Sequence, residues 1–218
     1  MLPNDLEGKV CLVTGASRGI GAAVARALGR CGARVAVRYR SARQKAEAVV
    51  ADISAAGGRS LILHADVRDG QALEGPFAAV VSEFGHLDVL INNVGDQIER
   101  REVAATSDEL FDRHISINVR PVFVGCRMAV RQFRAQGTGG TIVNVSSIAA
   151  RMGGAGGSAI YAGAKAFVSK FTRSLAKEVD PAATEIAVKS NSNRSIRTIW
   201  ANSSALGAIN LVPTTACG

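Results

Sequence analysis

The sequence predicts a single-domain α/β fold, a doubly wound parallel sheet with helices on both faces. Three observations carry it. Short β-branched apolar runs alternate with longer stretches of helical spacing from Lys9 to Val179. The short runs are apolar throughout, not alternately apolar and polar, as strands buried on both faces require. A glycine-rich turn stands directly between the first run and its helical stretch. At 218 residues the chain suits one domain with a sizeable core.

The elements follow in order. "KVCLVTG" (9–15) is a first strand closed by glycine, and "IGAAVARALGRCG" (20–32) a helix closed the same way. "RVAVRYR" (34–40) is the second strand. "ARQKAEAVVADISAAGG" (42–58) is rich in helix formers and ends in a glycine pair. "SLILHAD" (60–66) is the third strand, residues 70–84 the third helix, and "LDVLINN" (87–93) the fourth strand. Thr106 and Glu109 in "TSDE" make a capping box for a long helix running to about residue 136, bent near Pro121. "TIVNVSS" (141–147) is the fifth strand. Ser158 caps the next helix, which runs to about Val179. Ile160, Ala164, Phe167, Val168, Phe171 and Leu175 mark its buried face. "TEIAVKS" (184–190) is a candidate sixth strand. Right-handed crossovers between parallel strands give a Rossmann-like arrangement over residues 1–188. The tail 189–218 is polar, rich in Asn and Ser, and only weakly periodic.

Composition excludes several classes. No apolar run is long enough to span a bilayer, and the N-terminus lacks the regions of a secretory signal. Cys11, Cys31, Cys126 and Cys217 are scattered without a C-x-x-C pair, which suits reduced thiols and a cytoplasmic location. His64, His86 and His114 stand apart, so no metal cluster is expected. The net charge of +8 favours anionic ligands. The arginines, however, spread along helices without a dense basic block, and there are only two tyrosines and one tryptophan. Nucleic-acid binding is therefore not expected as the primary role.

"TGASRGIG" (14–21) fits a phosphate-binding turn. Gly15 permits the tight turn, Gly19 lets a phosphate approach the backbone, and Gly21 allows close helix–sheet packing. The following helix offers free N–H groups and its positive dipole end to a pyrophosphate. An acid at the end of the second strand would bind a ribose 2′-OH, but the sequence there is "VRYRS". Arg40 stands near that place and Arg18 lies inside the glycine turn. Two guanidiniums suit a 2′-phosphate, so NADP(H) is expected over NAD(H), although each also suits a solvent-facing position.

"YAGAK" sets Tyr161 and Lys165 one helical turn apart on one face, offset from the Phe167/Phe171 stripe. An ammonium near a phenol favours the phenolate form. Together "TGASRGIG", "NNVG" (92–95), Asn118 in "SINVRPVF", "NVSS" (144–147) and "YAGAK" resemble the classical branch of the short-chain dehydrogenase/reductase family, over about residues 7–180. Within it the chain is most similar to the 3-oxoacyl-(acyl carrier protein) reductase type. The resemblance implies that Tyr161 is the catalytic acid/base and that Lys165 activates it and holds the nicotinamide ribose. Ser147 then bonds the substrate oxygen, and Asn118 holds a water in the proton relay. It further implies that Asp66 and Val67 contact adenine, and that Asn92 and Gly95 stabilise the sheet and border the cofactor. Ser17 and Ile20 belong to the glycine turn. Val94 stands where alanine is usual.

The tail departs from that family. After the sixth strand, "NSN" stands where a Pro-Gly turn closes over the nicotinamide, and neither a substrate lid nor a last strand can be recognised. A divergent terminus and a truncated or frame-shifted reading frame both account for this. The leading expectation is an NADP(H)-dependent oxidoreductase acting on a small-molecule carbonyl/alcohol pair. The alternative is a catalytically weak or inactive nucleotide-binding protein. By family precedent the chain forms a homodimer or homotetramer through the helices around 106–136 and 158–179.

Overall fold

The run VCLVT forms strand β1 (Val10–Thr14), and every residue of it is buried. Its alternation explains the two-layer core. Cys11 and Val13 join the cluster beneath helices α1 (Gly19–Arg30) and α2 (Arg43–Ala55). Val10 and Leu12 join the opposite cluster, beneath α3 (Gly75–Phe84), α5 (Arg120–Gln136) and α7 (Ala159–Glu178). Strand β2 (Arg34–Tyr39) divides likewise, with Val35, Val37 and Tyr39 on the first face and Ala36 on the second. Truncating a fully buried residue such as Leu12 to alanine would cost roughly 2–5 kcal/mol.

The remaining elements are β3 (Ser60–His64), β4 (Val89–Asn92), α4 (Asp108–Asn118), β5 (Gly140–Asn144), a short α6 (Ala149–Met152) and β6 (Ile186–Ser190). This computed structural model describes residues 6–66, 74–179 and, as backbone, 186–190. The six strands lie in the order β3-β2-β1-β4-β5-β6, and every pairing is parallel. The order reverses direction between β1 and β4, so a crevice opens at the carboxyl ends of the strands there. The predicted doubly wound, Rossmann-like architecture is the observed one.

Several local expectations are corrected. The cap before α4 is Ser107, whose Oγ accepts the Leu110 N–H, not the Thr106/Glu109 box. Thr106 instead donates its hydroxyl to the Glu102 carbonyl, closing the 3-10 turn Val103–Ala105. The bent helix is two helices that meet at Val119, with Pro121 in the first turn of α5, where a missing N–H is harmless. Ser158 occupies the N-cap position of α7 without a capping bond. Its Oγ accepts from Gln97 Nε2 at 2.7 Å.

The buried face of α7 is also rotated from the expected one. Ala164, Val168 and Leu175 are buried with Lys165, Ser169 and Thr172, whereas Phe167 is 41% exposed. Polar residues are tolerated on this face because β5 presents polar partners to it. Asn144 Nδ2 donates to Thr172 Oγ1 at 2.9 Å, while Asn144 Oδ1 accepts from Asn92 Nδ2 at 2.9 Å. Hydrogen-bonded in this way, the buried amides avoid the desolvation cost of an unpaired group. The tail 191–218 and the proposed boundary at 188/189 lie outside the residues whose side chains are described.

Candidate active site

Thr14 and Asn93 lock the glycine turn to the end of β4. Thr14 Oγ1 donates to the Ile91 carbonyl and accepts from the Asn93 N–H, and Asn93 Nδ2 donates to the carbonyls of Thr14 and Gly15. The Ala16 N–H donates to the Arg38 carbonyl at 2.9 Å, fastening the same turn to β2. Within the turn Gly19 has φ +56, and nothing lies within 4 Å of where a Cβ would stand. The backbone is thus held in a left-handed conformation with open space above it. Arg18 precedes α1 and makes no side-chain cap, so it supplies no oxygen to the first N–H groups of that helix. Gly21 does not line the crevice. A Cβ there would collide with the Gly15 carbonyl, so this glycine permits helix–strand contact.

The crevice above the strand ends encloses about 580 Å³. Gly15, Ser17, Arg18, Gly19, Ile20, Arg40, Gly95, Tyr161 and Lys165 all line it. Residues from the glycine turn, β2, the loop after β4 and α7 are therefore brought to one cavity from distant parts of the chain.

Lys165 is its most constrained member. It is 3% exposed, and Nζ donates to the Val145 carbonyl at 3.0 Å. The ammonium lies 6.0 Å from the Tyr161 ring centre. Burial pulls the Lys165 pKa down to about 8. Ser146, just past β5, holds the helix in register: its Oγ meets the Lys165 carbonyl at 2.9 Å and Ser169 Oγ at 2.7 Å. A Cβ on Gly95 would collide with Lys165 Nζ and approach Asn118 Oδ1 to 3.0 Å, so the lysine reaches its place only past a glycine.

Other predicted residues lie behind the lining. Asn118 is fully buried; its Nδ2 donates to the carbonyls of Asp96 and His114, and its Oδ1 accepts the Asp96 N–H. It thereby fixes the loop that follows β4. Asn92 is buried in the β4–β5–α7 polar ladder and does not reach the cavity. Ser147 is not part of the lining either. Its Oγ accepts the Ala149 N–H at 3.2 Å, which leaves its own proton to be donated elsewhere. Asp66 is half-buried at the end of β3 and interacts electrostatically with Arg38; Val67 lies outside the described residues.

The sequence reading missed Thr14, Asn93 and Arg38. Arg38 lines the crevice and is 4% exposed, whereas Arg18 and Arg40 are exposed. The alternation along β2 carried a signal, because Arg38 follows Ala36 on the same face of a strand buried on both faces.

These features fit a dinucleotide. The left-handed glycine beneath open space suits a pyrophosphate, the α1 N-terminus offers N–H groups, and the Arg38 Nε is buried without a partner. Among the described residues no helix is long and apolar enough to cross a membrane.

Comparison with known proteins agrees with the geometry. A "hydroxynaphthalene reductase-like protein Arp2" of Metarhizium majus is 38% identical over 196 residues, covering 90% of this chain and 71% of the relative. A short chain dehydrogenase of Burkholderia cenocepacia J2315, solved in complex with NADP, superposes with a TM-score of 0.79 at 37% identity, covering 85% of this chain and 74% of that one. An NADH-dependent reductase, A1-R′, responsible for alginate metabolism superposes with a TM-score of 0.78 at 32% identity, covering 84% and 75%. The family model for short chain dehydrogenases matches residues 9–203, and with the parallel sheet and strand-end crevice in place, the chain belongs to that family of oxidoreductases.

Proposed function

We propose that the chain is an NADP(H)-dependent oxidoreductase that interconverts a carbonyl and an alcohol. The carrying observation is the buried Lys165 ammonium, which lines one crevice with Tyr161 and the glycine turn. A nicotinamide bound there would supply or accept the hydride. Tyr161 donates its phenolic proton to the carbonyl oxygen as negative charge grows on it. The Lys165 ammonium, shielded from bulk water, stabilises the phenolate left behind. Ser147, whose Oγ accepts the Ala149 N–H and retains its own proton, donates its hydroxyl to the same oxygen. Asn118 acts from behind, holding the Asp96 backbone and with it the loop carrying Gly95. The three arginines of the lining near the glycine turn and β2, Arg18, Arg38 and Arg40, make the crevice cationic and favour the 2′-phosphorylated cofactor, in keeping with the NADP complex of the Burkholderia relative.

The hydroxynaphthalene reductase-like relative makes hydroxylated aromatic ketones a rational first substrate panel. The decisive measurement follows NADPH oxidation on that panel with the unmodified chain and Tyr161→Phe. Turnover that Tyr161→Phe reduces by at least about a thousandfold supports the assignment, since proton transfer and oxyanion stabilisation are lost together. Turnover unchanged by that substitution would sink it.

One observation favours the second reading, a catalytically weak nucleotide-binding protein: Ser147 stands outside the crevice lining. NADPH binding without turnover across the panel would select that reading. For assembly, the proposed partner is a second copy of the chain. It would meet the apolar groove formed by Phe111, Ile115 and Val119 of α4 and its C-cap with Ile160, Gly163 and Phe167 of α7.

A further inference from the structure

Arg38 is out of place in a strand core. It pairs in register with Thr14 of β1 and Leu63 of β3, one residue before the end of β2, and its carbonyl anchors the glycine turn through Ala16. Its side chain is covered yet lines the crevice. A guanidinium carries five N–H donors in a planar fork. Here Nη2 reaches the Ala65 carbonyl at a long 3.4 Å, and Nε has no partner. Burial lowers its pKa only to about 10, with Asp66 acting in the opposite direction, so the group remains a cation at neutral pH. A buried cation with unfilled donors is costly unless something supplies acceptors, and the open side of this one is the crevice.

We propose that Arg38 is the cation that selects a 2′-phosphorylated dinucleotide over its unphosphorylated counterpart, an assignment resting on the NADP(H) reading above. Magnitudes favour it over its neighbours. Arg18 and Arg40 are exposed, so water and salt screen their charges within a Debye length of about 8 Å at physiological ionic strength. The Arg38 side chain is only 4% exposed, so the effective dielectric constant around its charge is lower. The strand pairings on both sides fix its backbone, and a side chain this covered has less freedom left to lose on binding. A competing role is purely structural, with Arg38 only holding Ala65 and Asp66 in place for the adenine. That role would weaken both cofactors alike.

The test measures Kd for NADPH and NADH with the unmodified chain, Arg38→Met and Arg40→Ala, at low and high salt. Arg38→Met is expected to weaken NADPH by about ten- to a hundredfold while NADH stays within about threefold. Arg40→Ala is expected to have a smaller effect that fades at high salt. Equal weakening of both cofactors, or an unchanged preference in Arg38→Met, overturns the assignment. Arg38→Gln serves in the same comparison should the methionine variant not fold. The unmodified chain gives an independent readout from adenosine 2′,5′-bisphosphate against 5′-AMP. The affinity gap should survive about 0.5 M salt, and a gap that collapses there belongs to the exposed arginines and overturns the proposal. An unmodified chain that does not prefer NADPH removes the cofactor reading itself. A preference that Arg38→Met keeps removes only the role given to Arg38.

Discussion

Lys165 shows how one residue can serve the site and burden the fold. Its pKa falls from 10.5 to about 8 through burial, so the unfolded chain binds that proton more tightly than the folded one. Stability therefore rises with pH between about 8 and 10.5, and below about 8 the buried ammonium costs the fold about 3 kcal/mol. Lys165→Met should raise the urea midpoint at neutral pH, less about 1 kcal/mol for the donor lost to the Val145 carbonyl. That advantage should shrink as pH rises toward 10.5, and parallel pH profiles for the two proteins would sink the account. The same titration predicts that carbonyl reduction declines as pH rises through about 8, because neutral Lys165 no longer supports the phenolate. Gly95→Ala tests the close approach directly. Its methyl must displace Lys165 Nζ from the Val145 carbonyl, so turnover should fall by about tenfold or more, with a stability loss of about 1 kcal/mol or more.

At the scale of elements, the strands were legible because burial on both faces leaves a simple mark, an unbroken apolar run. Helix existence was legible too, but ends and faces were less so. The sequence offered two adjacent hydroxyls, Thr106 and Ser107, and only backbone geometry at the start of α4 selects the second as the cap. Ser107→Ala should cost about 1 kcal/mol, measurable as a lowered thermal midpoint, whereas Thr106→Ala should cost less. The rotated face of α7 has a different cause. Hydrophobicity favoured Ile160 and Phe167 as buried, but Asn144 and Ser146 of the neighbouring strand end draw Thr172 and Ser169 inward. Asn144→Leu leaves the buried Asn92 Nδ2 with only the 3.5 Å contact to Cys126 Sγ, while Thr172 keeps its bond to the Val168 carbonyl, and should destabilise the fold by about 1–3 kcal/mol in denaturant titrations.

For the whole molecule, the aromatic residues left over by that rotation gather on one face. Phe167 stacks on Phe171 at 5.4 Å, Phe171 meets Phe123 edge-on at 6.1 Å, and the neighbouring apolar groove contains Phe111. Apolar surface of this kind on α4, α5 and α7 suits self-association. Phe167→Glu is expected to shift the chain toward monomer in sedimentation experiments while leaving its circular dichroism unchanged; an unmodified chain that sediments as a monomer would remove the proposed second copy from that groove.

The linear sequence by itself determined the alternation of strands and helices, the sheet class, the glycine-rich turn at the end of β1 and the pairing of Tyr161 with Lys165. Each depends on residues within a turn or two of one another, where periodicity and glycine placement act directly. The tertiary structure alone decided which hydroxyls and amides meet, which face of α7 turns inward, and which arginine at the end of β2 is covered. Those outcomes depend on what lies opposite: local pattern shows that a side chain can be buried, while its partner and the dielectric around it come from strands and helices far away in the chain.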